Sequence, residues 1–152
     1  MRLISAPADL VVAESDGIAV RFAGVEVATV RGEPGLKISL EGVRSQETVR
    51  RDQSFVDARL QWIEQRKEHG AESAGDPPIM PGVLALDPVK VLISDDAGTE
   101  YHWAAGQVAG DGTEWAASWT YLPATPANTR TLSLEFTVHG ERTGKKCEIE
   151  LD

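Results

Sequence analysis

The sequence predicts a mainly β protein, a β-sandwich of about seven to nine short strands with one inserted α-helix. Three observations carry this. Trp115, Ala117, Trp119 and Tyr121 alternate strictly with Glu114, Ala116, Ser118 and Thr120. Leu132, Leu134, Phe136 and Val138 likewise alternate with Ser133, Glu135 and Thr137. Turn residues separate such runs along most of the chain. Side chains on a strand point to opposite faces in turn, so a period of two marks a sheet packed on one side and wet on the other. From Ser45 to His69, by contrast, apolar residues fall at helical spacings.

The elements follow in order. Leu10 to Val12 is a short first strand, closed by the turn Ser15-Asp16-Gly17. Ile18, Val20 and Phe22 share a face. Gly24 interrupts the run, and Val25, Val27 and Thr29 resume on that face only if the strand carries a bulge; otherwise the strand ends at Gly24 and a new one begins. Gly32-Glu33-Pro34-Gly35 reads as a turn. Leu36, Ile38 and Leu40 then point inward, with Lys37, Ser39 and Glu41 outward.

The helical stretch carries Val49, Phe55, Val56, Leu60, Trp62 and Ile63. Ser54 with Asp57 resembles a capping box and Gly70 a stop, which predicts a helix from Ser54 to Glu68 that can begin earlier. Residues 45–70 thus form a helical insertion, and covering an open sheet edge or the barrel end is its plainest role. Residues 71–88 read as a Pro-rich loop, with Val83 to Leu86 as a short edge strand between Pro81 and Pro88. Beyond it lie strand Val89 to Ser94, strand Thr99 to Ala105 with Tyr101 and Trp103 on one face, and the turn Gly110-Asp111-Gly112. The strands holding Trp115 and Phe136 follow. Cys147, Ile149 and Leu151 close the chain on an inward face. Length fits one domain over residues 1–152, with no internal repeat.

The rhythm of strands from Val89 to Leu151, the run from Leu92 to Tyr101 (Leu92-Ile93-Ser94-Asp95-Asp96-Ala97-Gly98-Thr99-Glu100-Tyr101) and the corner Leu122-Pro123-Ala124-Thr125-Pro126-Ala127-Asn128 together resemble the carboxy-terminal half of immunoglobulin-like domains of uncharacterised bacterial proteins. The resemblance implies an immunoglobulin-like sandwich and no functional residues. The chain departs from antibody-type domains, because a single cysteine cannot form an inter-sheet disulfide and the helix has no counterpart there.

Composition narrows the function classes. Net charge is −9, and the basic residues gather only between Arg44 and Lys67 and at Lys145-Lys146, which argues against a nucleic-acid footprint. No apolar run approaches a membrane span, and Met1 to Asp9 lacks the apolar core of a signal peptide. The expectation is a cytoplasmic protein without nucleic-acid or membrane partners, or an extracellular one if the chain belongs to a longer exported protein. Cys147 alone can build neither a bridge nor a cysteine zinc cage and reads as a buried structural thiol.

Catalytic signatures are missing: there is no Gly-x-Ser-x-Gly, phosphate-cradling glycine loop or His-Glu-x-x-His. His69, His102 and His139 show no metal spacing, and the sequence implies no enzyme, cofactor or metal. The acidic stretches Asp95-Asp96-Ala97-Gly98-Thr99-Glu100 and Gly110-Asp111-Gly112-Thr113-Glu114 could offer carboxylates to calcium, but Asp before Gly in a turn needs no cation. Tyr101, Trp103, Trp115, Trp119 and Tyr121 could stack on sugar rings, or form the core.

Two readings remain. The first is a non-catalytic binding or protein-interaction domain whose partner is another protein or a second copy of itself. Its candidate contact residues are Trp62, Ile79, Met80, Trp103 and Trp115. The second is a ligand-binding (carbohydrate or calcium) or hydrolytic protein that uses the aromatic face and the acidic turns. Burial of the tryptophans on the strands would favour the first.

Overall fold

The computed structural model describes residues 3–5, 10–111 and 114–151; side chains are described from residue 10, with those of residues 110, 111 and 114 left aside. The chain is mainly β: two antiparallel sheets pack face to face, and two helices join them. The strands are β1 (Leu3–Ser5), β2 (Val11–Ser15), β3 (Ile18–Val30), β4 (Glu33–Gly42), β5 (Val89–Asp95), β6 (His102–Asp111), β7 (Glu114–Leu122), β8 (Thr131–Val138) and β9 (Glu141–Leu151). The helices α1 (Gln46–Ala74) and α2 (Pro81–Leu86) lie between β4 and β5. One sheet has the order β1-β9-β8-β5 and the other β2-β3-β4-β7-β6. The helical insertion therefore carries the chain from one sheet to the other.

Three hairpins share one device. The two-residue loops Asp16-Gly17, Arg31-Gly32 and His139-Gly140 all take positive φ at both positions. That is the type I′ pattern, whose twist matches the right-handed twist of the strands it joins. The turn expected at Gly32-Glu33-Pro34-Gly35 thus moves one residue back: Glu33 pairs with Val30, and Pro34 and Gly35 already belong to β4. Gly35 lies so close to the Tyr121 carbonyl that a Cβ there would sit 2.6 Å away. The bulge at Gly24 is present, because the β3–β4 register shifts between Phe22 and Gly24. It returns Val25 to the face of Ile18, Val20 and Phe22.

The inward faces read from the alternation form the core. Leu36, Ile38 and Leu40 on β4, Trp115, Ala117, Trp119 and Tyr121 on β7, Leu132, Leu134 and Phe136 on β8, and Cys147, Ile149 and Leu151 on β9 are all buried. Phe22 of one sheet meets Phe136 of the other at 6.0 Å between ring centroids. Trp119 is locked across the sandwich by its indole N–H, which donates to the Val89 carbonyl at 2.7 Å. The Lys90 ammonium lies 3.9 Å from that ring. Burial lowers the Lys90 pKa, against the pull of Asp87.

The insertion differs from its sequence reading in three ways. First, α1 begins at Gln46, not Ser54. Ser45 is the N-cap: its side chain accepts from the Thr48 N–H at 3.3 Å, while its own N–H donates to Thr48 Oγ1 at 3.0 Å. This reciprocal box uses Thr where the usual pattern has Glu or Gln, which hid it. Second, Gly70 (φ 84) breaks the helix as expected, but one more turn follows and the end falls at Gly75. Third, the run Val83 to Leu86 is not an edge strand. Pro81 at the first helical position presets φ for a turn of helix, so the segment read as loop and strand becomes α2. Ala85 and Leu86 of α2 are buried, and the helix packs on β4, β7 and most of all β6. There it extends the smaller layer over the larger one.

Candidate functional site

Helix α1 is tied to the sandwich by its root alone. Thr48 is its one buried residue among those described. Arg51 donates through Nη1 to Asp16 in the β2–β3 turn and through Nε to Glu47 Oε1 at 2.8 Å. Arg50 holds the same carboxylate at 2.6 and 3.0 Å. Hydrogen bonds from Arg50, then Arg51, bring the Glu47 pKa down to about 2. One turn on, the Trp115 indole N–H donates to Asp52 Oδ1 at 3.0 Å. The root is thus a ring of polar ties around the start of β7.

Away from these ties the helix has little beneath it. Val49, Val56 and Leu60 are 54%, 48% and 57% exposed, respectively. Phe55, Trp62 and Ile63 are only half-buried. An amphipathic helix normally buries its apolar stripe on the body that carries it. Here the stripe faces water, so the expectation that the insertion covers a sheet edge is overturned for α1; α2 is the helix that packs on β6. The chain coming back from α1 folds against it: the Trp62 indole N–H donates to the Gly75 carbonyl at 3.1 Å, and α2 also touches α1. The Arg66 guanidinium stands 5.5 Å from the Trp62 ring.

The five predicted contact residues differ in exposure. Trp62 is half-exposed on α1 and Met80 half-buried just ahead of α2. Ile79, at 60%, and Trp103, at 54%, are exposed. Trp103 sits on the edge strand β6 and reaches over Gly106, where a Cβ would meet its ring at 2.9 Å and that of Trp119 at 2.8 Å. Trp115 is buried, which corrects its place among the contact residues. Its ring is core, and its N–H anchors the helix. Val49, Val56 and Leu60 of α1 are exposed as well, as are Val11, Val27, Leu84 and Leu92 elsewhere. The helical spacing of the α1 residues with Phe55, Trp62 and Ile63 was legible in the sequence, but that spacing is the same for a stripe that is covered and one that is not.

The first acidic turn is accounted for by its own hydrogen bonds. Asp95 Oδ1 accepts from the Ala97 and Thr99 N–H groups, each at 3.0 Å, and Oδ2 from the Tyr101 hydroxyl at 2.6 Å. Burial works to raise the Asp95 pKa, but these donors outweigh it and the net shift is downward. Burial, then Asp95, pushes the Tyr101 phenol up to about 12. Asp96 Oδ1 accepts from the N–H groups of Arg130 at 3.0 Å and Thr131 at 3.2 Å, which lowers its pKa and ties the turn to β8. Of the second acidic turn, Gly112 and Thr113 and the side chains of Asp111 and Glu114 lie outside the described residues. Among the described residues no three His, Cys, Asp or Glu gather to hold a metal, and no helix is long and apolar enough to cross a membrane. Burial, then Glu148, raises the pKa of the buried Cys147 thiol, which leaves it packed rather than reactive.

Compared with protein-family models, with curated proteins and with solved structures, the chain matches none.

Proposed function

We propose that this protein is a non-catalytic protein-interaction domain, a β-sandwich that presents α1 as its docking element. One observation carries the reading: a helix anchored firmly at its root leaves Val49, Val56 and Leu60 in water over its length. Each of these side chains is about half exposed and so forgoes roughly 1 kcal/mol or a little more that full burial would supply. Patches of this kind on a soluble protein mark contact sites. A fold whose strands alternate cleanly, and which still leaves a helix of this composition uncovered, fits a surface kept for a partner. Burial of Trp115, Trp119 and Tyr121 supports the same reading, because it leaves Trp103 as a single exposed ring rather than a platform for sugars.

The test is a pair of substitutions on the exposed stripe, Val56→Asp and Leu60→Asp. Both residues face solvent, so urea unfolding of the monomer should change by less than about 0.5 kcal/mol. Association, measured by sedimentation for self-association and by cross-linking to other proteins, should be lost. Unfolding by either substitution would show that the stripe packs on its own domain, and the reading would fall.

A further inference from the structure

We infer that the free edge of β6 takes up an extended segment of another protein as an added strand, a contact independent of α1. The two sheets have four edge strands, β1, β5, β2 and β6. β1 is three residues long. On β2 the Val12 carbonyl accepts from the Thr143 hydroxyl at 2.8 Å, and on β5 the Val89 carbonyl accepts from the Trp119 indole. β6 is different. It runs for 10 residues, His102 to Asp111, without the proline, lysine or arginine that blunts many edges. Its bulge, between Trp103 and Ala105, lies near the start and leaves Gly106 to Gly110 in regular register. Helix α2 lies against β6 but also touches β4 and β7, so it crosses the face of the sheet rather than its edge. Gly106 and Gln107 are exposed.

Strand alternation fixes which backbone groups face out. The Val43 N–H donates to the Ala19 carbonyl, so Val43 points toward β3. Counting by twos from there through the β4–β7 and β7–β6 registers turns Ala105, Gln107 and Ala109 toward β7. The N–H and C=O groups of Gly106, Val108 and Gly110 therefore point away from the sheet, about 6.8 Å from one such residue to the next. Among the described residues no backbone group outside β7 bonds to β6. An extended chain is the ligand whose own N–H and C=O groups repeat at that spacing. The Trp103 ring, 54% exposed, reaches over Gly106 and offers such a strand an apolar contact.

Charge selects the partner. No Lys or Arg occurs from Val91 to Thr129, whereas Glu100 precedes β6 and Asp111 and Glu114 stand at its far end. Pairing β6 with the β6 of a second copy brings Glu100 toward Glu100 in parallel, or toward Asp111 and Glu114 in antiparallel. Like charges across a strand pair are destabilising, so either direction disfavours self-pairing. A foreign strand with uncharged residues opposite Gly106 to Gly110 and Lys or Arg at its ends satisfies both the backbone and the charge.

The probe is the end-blocked peptide Lys-Lys-Val-Thr-Val-Thr-Val-Lys-Lys, titrated against the whole chain up to about 1 mM. In antiparallel addition its valines pair with Gly106, Val108 and Gly110. Binding should slow hydrogen exchange at those three amides, while the Gln107 and Ala109 amides, already in the ladder, change little. Methylating the valine nitrogens should weaken binding roughly thirty-fold or more, because these N–H groups are the ones aimed at β6. Methylating the threonine nitrogens, on the far edge of the added strand, should change it by less than about three-fold. Exchanging every Lys of the peptide for Glu should weaken binding roughly ten-fold or more. Leu60→Asp should leave all of these results unchanged, so the β6 edge and the α1 stripe stand or fall separately. No binding by about 1 mM, binding that leaves the three amides unprotected, equal effects of the two methylations, or indifference to the flanking charge would each overturn the inference. So would protection of the same amides that rises with protein concentration alone, which would assign the edge to a second copy.

Discussion

Replacing Asp52 by Ala tests whether the sandwich holds the root of α1 as the geometry says. Asp52 Oδ1 accepts the indole N–H of Trp115 at 3.0 Å, and that ring is 5% exposed. Removing the acceptor leaves a nearly buried N–H with no partner, which costs about 1–3 kcal/mol. Asp52 itself is half-exposed, and water entering beside the truncated side chain recovers part of the loss, so about 1–2 kcal/mol is expected. For a chain of this length that lowers Tm by roughly 2–8 °C. Urea unfolding followed by circular dichroism gives the global value, and hydrogen exchange should rise first over residues 46–52. The double-mutant cycle with Trp115→Phe isolates the bond, because Phe keeps most of the ring and removes the donor. In that background Asp52→Ala should cost less than about 0.5 kcal/mol. A coupling below about 0.3 kcal/mol would mean that the bond does not hold the helix and that its root rests on Ser45, Thr48 and Arg51.

Other perturbations probe the sandwich and its turns. Phe136→Ala removes a fully buried ring packed on Phe22 across the two sheets and should cost about 3–5 kcal/mol in urea unfolding; a loss below about 1 kcal/mol would refute the register of β8. Gly106→Ala adds a Cβ 2.8 Å from the Trp119 ring and should destabilise by about 1–3 kcal/mol, where an uncrowded glycine would gain from the same change. Glu47, Asp95 and Asp96 all have pKa values lowered by folding, so the unfolded chain binds more protons in acid. Their stabilisation should be present above pH 4.5 and fade as the pH falls toward the Glu47 value of about 2, seen as acid unfolding that Glu47→Gln blunts. Tyr101 runs the other way. Its pKa is raised from 10.0 to about 12, so its contribution should hold below pH 10 and fade up to about 12, and Tyr101→Phe should abolish that alkaline loss.

Periodicity on its own determined the sheets. Alternation named the inward faces of β4, β7, β8 and β9 residue by residue, because a one-residue slip would turn each whole set to solvent. Local chemistry named the Asp16-Gly17 turn and marked Gly24 as either a bulge or a strand end, and pairing with β4 decided for the bulge. Single-chain patterns failed where two segments must meet. The true start of α1 was hidden because residues 46 to 53 contain one apolar residue and a Thr in place of the usual Glu. Val83 to Leu86 carries no periodicity; Pro81 starts it as a helix, and its buried residues pack on β6, β4 and β7. The helical spacing from Val49 to Ile63 was legible, but its exposure was not. A helix pattern marks an apolar face without saying whether anything lies against it. Tertiary structure decided that: Trp115, open in the sequence between core and contact residue, turned inward to grip Asp52, and the stripe beyond was left facing water.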